Sequence, residues 1–186
     1  MLAMSRLTLL DADTAPIAGK PYFEGGDPGP IVAALAQVPE LLRPTAEFIS
    51  AALGPGAASS RHKEMAILLT SAVQGCRYCT EAHTVVSLDV GLSSHEIRSL
   101  RGEGPIADGF KDAAEQVLAA WIDAMARPGP VEERVWQDAR ASWPEHILVE
   151  LTVTIGATLL LNRFATGFEL PSATSVVDRL TAEGLT

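Results

Sequence analysis

The sequence predicts an all-α protein, on three observations. Apolar residues recur at helical spacing through most of the chain, Gly and Pro divide it into segments of helix length, and no run of four or more residues alternates cleanly between apolar and polar. The 186 residues are enough to build one hydrophobic core. We therefore expect a Pro- and Gly-rich arm over residues 1–30, followed by a single helical domain over residues 31–186.

Gly, Pro and capping residues mark where the individual helices begin and end. Ser93 with Glu96 forms a predicted capping box, and Ser142 with Glu145, just after Pro144, forms a second. The predicted segments, in order, are residues 31–53 (two short helices interrupted at Pro39 and Pro44), about 61–74 (capped by Ser59 or Ser60 and ended by Gly75), about 76–90 (ended by Gly91), 93–102, 110–125, 131–141, 142 to about 165 (with Gly167 beyond its end) and about 172–183.

The last long helix has an unusual composition. Its segment "ILVELTVTIGATLLL" (residues 147–161) is apolar on nearly every side, and although "LTVTIG" alone resembles a buried strand, its place inside a capped run favours helix. Such a helix must be surrounded. Because a chain of this size has few helices to surround it, we expect a homo-oligomer; a central core helix in a monomer is the alternative.

Charge and hydropathy exclude several classes of partner. The formal net charge is −9, and the pI is near 4.8, so phosphate backbones and anionic lipid surfaces are repelled. The N-terminal residues lack the pattern of a signal peptide, and the apolar stretch at 147–161 falls short of the ~20 residues that span a bilayer. We expect a cytoplasmic protein that binds neither nucleic acid nor membrane.

The only two cysteines of the chain lie in "QGCRYCTEAH", residues 74–83. A structural zinc site needs four ligands, and this segment offers three; a zinc site with an open position stays possible. Covalent haem attachment needs a histidine directly after the second cysteine, where this chain has Thr80. A disulfide across two residues would close too short a loop to stabilise the fold much, which leaves inert thiols as the plain structural alternative.

Helical spacing favours a thiol enzyme. Cys76, Cys79 and His83 share one helix face, and the turn at Gly75 places Cys76 near a helix N-terminus, which favours a thiolate. His83 is one turn from Cys79 but two turns from Cys76. Since contact with a base is the stronger local effect, we assign Cys79 as the nucleophile and Cys76 as the resolving cysteine.

Glu64, on the preceding helix, is the candidate to orient His83 or return its proton. The residues that follow it, "MAILL", are apolar, so the helix could carry its carboxylate inward. The alternative is a solvated helix charge paired with Lys63 or Glu81.

The spacing from Glu64 through Cys76 and Cys79 to His83 matches E-x11-C-x2-C-x3-H, and it resembles the signature of the AhpD-like alkylhydroperoxidases of the carboxymuconolactone decarboxylase superfamily. The resemblance covers residues 61–91, with a weaker match in "LLLNRFATGFELP". It implies an all-α fold assembled as trimers or hexamers, with no bound cofactor or metal. It also implies that Cys79 attacks a hydroperoxide, that Cys76 closes a disulfide, that an external dithiol or thiol protein resets the pair, and that Glu64 and His83 relay protons.

Two departures from that family pattern stand out. Tyr78 occupies the position of a histidine found between the cysteines of the best-studied peroxidases, where a neutral phenol can donate a hydrogen bond but not act as a base. The signature also lies before the middle of the chain rather than near its end. The leading prediction is a thiol-dependent peroxidase for organic hydroperoxides or hydrogen peroxide; the alternatives are a general thiol–disulfide oxidoreductase and a non-enzymatic redox-sensing oligomer.

Overall fold

A computed structural model describes residues 5–186, and within them every long element is an α-helix and no strand occurs, which confirms the predicted all-α class. A single 3₁₀ turn, Lys20–Phe23, lies in the arm. The helices are α1 (Pro30–Leu35), α2 (Pro39–Leu53), α3 (Ser60–Val73), α4 (Arg77–Asp89), α5 (Ser94–Leu100), α6 (Ile106–Gly109), α7 (Ala113–Ala126), α8 (Glu133–Ser142), α9 (Glu145–Phe168) and α10 (Thr174–Ala182).

Helix α3 lies at the centre of the fold. Its residues 63–71 are all buried, and it packs against α4, α7 and α9. Met65 and Leu68 are fully buried in the main core, together with Leu151 and Ile155 of α9. The apolar run that follows Glu64 in the sequence therefore does what its composition suggests, and it carries neighbouring polar side chains into the interior.

Pro44 does not interrupt a helix as predicted, because it lies inside α2. A proline there leaves the carbonyl of Glu40, four residues earlier, without its helical donor. Both residues are exposed, so water can hydrogen-bond to that carbonyl and the helix continues.

The capping box predicted at Ser142 and Glu145 is wrong, whereas the one at Ser93 and Glu96 is present. Ser142 is the last residue of α8, and Pro144 is the N-cap of α9. The cause is Trp143, whose indole Nε1 donates to the carbonyl of Ala114 at 2.9 Å and whose backbone N–H still bonds to α8. This tertiary contact decides where α8 ends.

Helix α9 extends beyond its predicted end to Phe168, so that Gly167 lies inside it. Arg6 explains the extension: its backbone N–H donates to the carbonyl of Phe168 at 2.9 Å, and its guanidinium contacts the carbonyl of Gly167 and the carboxylate of Glu169. The arm thus supplies donors to the last carbonyls of α9, which otherwise lack partners. The division of the chain at residue 30 stays a prediction.

At 24 residues, α9 has about the predicted length but begins and ends about three residues later, and its most apolar 18-residue window, with a mean hydropathy of 1.5, has the composition of a membrane span. Half of that window is buried against other helices, as in the core helix of a globular fold. Val149, Val153 and Leu160 stay exposed, by 64%, 44% and 47%. The homo-oligomer and the cytoplasmic location stay predictions.

An ion pair between the buried Lys63 and the partly exposed Glu150 holds α3 against α9. Lys63 is 3% exposed, and its Nζ lies 2.7 Å from Oε1 of Glu150. The other carboxylate oxygen accepts the backbone N–H groups of Ala57 and Ala58, and with the hydrogen bond from Lys63 these lower the pKa of Glu150. The pair fixes the loop between α2 and α3 over the first turn of α3.

Replacing Glu150 by Gln is expected to lower the free energy of unfolding by about 2 kcal/mol, because it leaves the buried Lys63 ammonium without its counter-charge. Urea denaturation measures the change. The matched control is Glu47→Gln on α2, which breaks an exposed contact with Arg43 and should cost less than about 0.5 kcal/mol. Equal losses in the two variants would contradict a role for the buried pair.

Candidate active site

The cysteines lie at the tight connection between α3 and α4. Gly75 takes a φ of 63°, the left-handed region that favours glycine, and so ends α3 where the sequence predicts. The next residue, Cys76, is the N-cap of α4, and its backbone N–H donates to the carbonyl of Ser71 at 3.0 Å. This turn points the first residues of α4 back towards the buried face of α3.

Both cysteines are free thiols buried in a small apolar cluster, with 1% of Cys76 and 5% of Cys79 exposed. The cluster also includes Ala165 of α9 and Leu170, which follows that helix. Leu7 and Leu9 of the arm pack against it. The N-terminal segment therefore packs against the apolar cluster that holds the thiol pair.

The two thiols ionise in opposite senses. Hydrogen bonds from the Cys79 thiol, and to a lesser extent from the Cys79 backbone N–H and the side chains of Thr166 and Asn162, lower the pKa of Cys76 to about 6 against the opposing effect of burial. The bonded Cys76 sulfur, together with burial, raises the pKa of Cys79. The contact between the two sulfurs thus favours the negative charge on Cys76 and the proton on Cys79.

Glu64 and His83 form a hydrogen-bonded pair between α3 and α4. The Nδ1 atom of His83 lies 2.9 Å from Oε2 of Glu64, and Glu64 is 7% exposed. A carboxylate at this distance fixes the tautomer and orientation of the ring, leaving Nε2 to exchange a proton. Among residues 5–186, no hydrogen bond joins the ring to the Cys79 sulfur.

The partners that could have made Glu64 a solvated charge are engaged elsewhere. Lys63 bonds to Glu150, and Glu81 bonds to the hydroxyl of Ser172. Glu64 is therefore buried and faces His83, against the alternative that its spacing left open.

Tyr78 packs against the cysteine cluster. Burial, with smaller contributions from the cysteine pair and from Asp27, raises the pKa of its phenol to about 12. The phenol therefore stays protonated at neutral pH and can donate a hydrogen bond beside the thiols, as expected from the sequence. Its auxiliary role stays a prediction.

A surface pocket of about 310 Å³ opens beside Cys76. This volume is at the lower end of the range for small-molecule sites. Within residues 5–186, no group of three or more His, Cys, Asp or Glu residues is arranged to hold a metal ion. The pocket is lined by Gly75, Cys76, Arg77, Tyr78, Ala165, Thr166, Glu169 and Leu170.

The structure thus brings together four of the predicted residues in two contacting pairs, Cys76 with Cys79 and Glu64 with His83. In the resting state, the N-terminus of α4 and the hydrogen-bond donors around Cys76 favour a thiolate on Cys76. Helical spacing alone had favoured a thiolate on Cys79, one turn from the base His83. The catalytic roles of the two sulfurs stay a prediction. Sequence reasoning gave no role to Asn162, although a lone amide in the apolar stretch "LLLNRF" is a signal that could have drawn attention to it.

The fold and the site define an all-helical protein with a buried dithiol and an adjacent carboxylate–imidazole pair. Residues 39–123 match the model of the carboxymuconolactone decarboxylase family. This match covers the helices that carry the thiols, Glu64 and His83, and the fold of the chain is AhpD-like. No curated protein sequence matches the chain.

Several solved structures share the fold. A protein of unknown function from Agrobacterium tumefaciens, proposed to be the antioxidant defence protein AhpD, is 24% identical over 76% of this chain and 96% of its own, with a TM-score of 0.68. An uncharacterised peroxidase-related protein from Ralstonia eutropha JMP134 is 14% identical over 95% and 96%, with a TM-score of 0.81. An alanine-for-cysteine variant of the debrominase Bmp8, in complex with 2,3,4-tribromopyrrole, is 15% identical over 98% and 100%, also with a TM-score of 0.81.

These proteins have been given different activities, so the shared fold does not select a reaction. The choice among reactions depends on the residues of the site.

Proposed function

We propose that this protein is a thiol-dependent peroxidase that reduces small organic hydroperoxides or hydrogen peroxide. The observation that carries the proposal is the buried hydrogen bond between Glu64 and His83, on the same two helices as the dithiol. A dithiol used only for packing needs no imidazole oriented by a carboxylate. A peroxidase needs one, because both steps of the reaction move a proton.

In the first step, the proton shared by the two sulfurs passes from Cys79 to Cys76, so that the Cys79 thiolate faces the side of α4 that carries His83. This thiolate attacks a peroxide oxygen and breaks the O–O bond, leaving a sulfenic acid on Cys79 and an alcohol. The alkoxide leaving group takes its proton from His83, and Glu64 supports the ring as its charge changes.

In the second step, the Cys76 thiol loses its proton to the relay and attacks the sulfenic sulfur. A disulfide forms, and the hydroxyl group leaves as water. The sum is one dithiol and one hydroperoxide converted into one disulfide, one alcohol and one water, with no bound cofactor. An external dithiol, in the cell a thiol reductant protein, reduces the disulfide through thiol exchange.

Stopped-flow oxidation of the reduced protein by cumene hydroperoxide tests this function. We expect the loss of two thiols per peroxide, much faster than the reaction of free cysteine, and full recovery of the thiols with dithiothreitol. Hydrogen peroxide is the second substrate to compare. Oxidation no faster than that of free cysteine would overturn the proposal.

A second candidate function is general thiol–disulfide exchange, favoured by the lowered pKa of Cys76 and by its position in the wall of the pocket. Rapid reduction of glutathione disulfide, with peroxide rates at the level of free cysteine, would support it. The similarity to Bmp8 makes bromide release from 2,3,4-tribromopyrrole a useful third assay. If none of these substrates reacts, the non-enzymatic redox-sensing oligomer is the remaining function.

A further inference from the structure

Asn162 is a buried amide in the apolar helix α9. It is 1% exposed, and its Nδ2 donates to the hydroxyl of Ser71 on α3 at 3.1 Å. Its Oδ1 is buried and has no hydrogen-bond partner among residues 5–186. A half-satisfied buried amide costs free energy that an apolar residue would not, so packing alone does not explain it.

The surroundings of Asn162 place it beside the thiols. Ser71, which accepts its hydrogen bond, also accepts the backbone N–H of Cys76 through its carbonyl. An amide nitrogen has two hydrogens, and with one directed to Ser71 the other is free for sulfur. The side chain of Asn162 is within hydrogen-bonding reach of both sulfurs, whereas Thr166, one turn further along α9, reaches Cys76 only.

We propose that Asn162 is a positioning residue for the dithiol: its side-chain amide donates to whichever sulfur carries the negative charge as the shared proton moves between Cys76 and Cys79. This inference rests on the proposed thiol chemistry and extends it. A donor common to both sulfurs keeps the thiolate hydrogen-bonded at both positions. Thr166 cannot do this, because it touches one sulfur.

Other charged and titratable groups lie around the site and must stay constant in any test. Each lies on α4, at the end of α9, on α3 or in the arm, outside the positions to be changed. They are Arg77, Tyr78 and His83 on α4, Glu64 on α3, Glu169 after α9, and Arg6 and Asp27 in the arm.

The test is a thiol titration without peroxide, by ultraviolet thiolate absorbance and by the rate of iodoacetamide alkylation against pH. In the wild type we expect a midpoint near pH 6. Asn162→Ala should raise it by at least about half a unit, so that the thiolate fraction at pH 6 falls from about one half to about one quarter. Ser71→Ala is the matched control, since it removes one hydrogen bond between α3 and α9 but keeps the amide, and its midpoint should move less than that of Asn162→Ala.

A Cys76→Ser background allows the effects of the two donors, Asn162 and Thr166, to be measured separately. There only Cys79 titrates, and we expect Asn162→Ala to raise its pKa while Thr166→Val leaves it unchanged. Thr166 is exposed, so its valine variant should fold even if Asn162→Ala does not, and in the wild-type background it should raise the Cys76 midpoint.

Equal shifts in Asn162→Ala and Ser71→Ala, or no shift in Asn162→Ala, would overturn the role of the amide. A shift in Cys79 on changing Thr166 would overturn the claim that Asn162 alone serves both sulfurs. Because no peroxide enters the titration, the shifts are expected even if the peroxidase assay fails, so the two proposals fail independently.

Discussion

A Cys79→Ser variant is expected to lose peroxide reduction by at least about a thousandfold, because the attacking sulfur is gone and a serine hydroxyl does not replace it near neutral pH. The variant keeps Cys76 and the donors that lower the pKa of that thiol, since a serine at position 79 still offers a hydroxyl and a backbone N–H. The variant therefore tests whether the buried Cys76 thiolate is sufficient by itself for peroxide reduction. Stopped-flow measurement with cumene hydroperoxide gives the rate.

Cys76→Ser is the matched control, because it keeps the nucleophile and removes the partner that resolves it. We expect one thiol to be lost in a single rapid phase, without disulfide formation. A sulfenic acid should accumulate on Cys79, where dimedone traps it and mass spectrometry locates it. Loss of the negative charge beside it should also bring the pKa of Cys79 down from its raised value.

The reverse pattern would show that Cys76 attacks the peroxide. In that case Cys79→Ser would react in one phase, with the sulfenic acid on Cys76, and Cys76→Ser would be inactive. The resting charge on Cys76 and its place in the pocket wall favour this outcome, whereas the position of His83 one turn from Cys79 favours the assignment that we propose. The pair of variants decides between two opposing local effects.

The parts of the fold that were predictable depend on local signals. Gly75 ends α3 because its backbone takes a conformation that other residues resist, and Ser93 caps α5 through a contact three residues away. The wrong predictions depend on contacts between distant parts of the chain. Trp143 moves the end of α8 by reaching Ala114, and Arg6 extends α9 from 161 residues away.

The same distinction applies to the site. Helical spacing alone places Cys76, Cys79 and His83 on one face, because Cys76 is the N-cap of α4 and the other two residues lie within that helix. Glu64 is different, since its burial depends on how α3 sits in the core, and its neighbour Lys63 finds its partner only on α9. The family resemblance supplied what local spacing could not, and Asn162 was missed because its link to the thiols exists only once α9 packs on α3.

Replacing His83 by Ala is expected to slow peroxide attack by about 10²–10³, the usual effect of removing a general acid–base group. Glu64→Gln should slow the same step by a smaller factor, about tenfold or more, because glutamine keeps a hydrogen bond to Nδ1 but cannot support a positive charge on the ring. Rapid mixing with cumene hydroperoxide at several pH values measures both.

Glu81→Gln is the matched control for Glu64→Gln, since both replace a glutamate of the α3–α4 pair by its amide. Glu81 bonds to Ser172 and lies at 3.9 Å from Arg77, on a face of α4 that does not contact His83. Its replacement should leave the peroxide rate unchanged. If Glu64→Gln is also unchanged while His83→Ala is slow, the carboxylate only packs against the ring, and the relay ends at the imidazole. If neither variant is slow, the buried pair has no part in peroxide reduction, and the observation on which the proposed function rests would no longer support it.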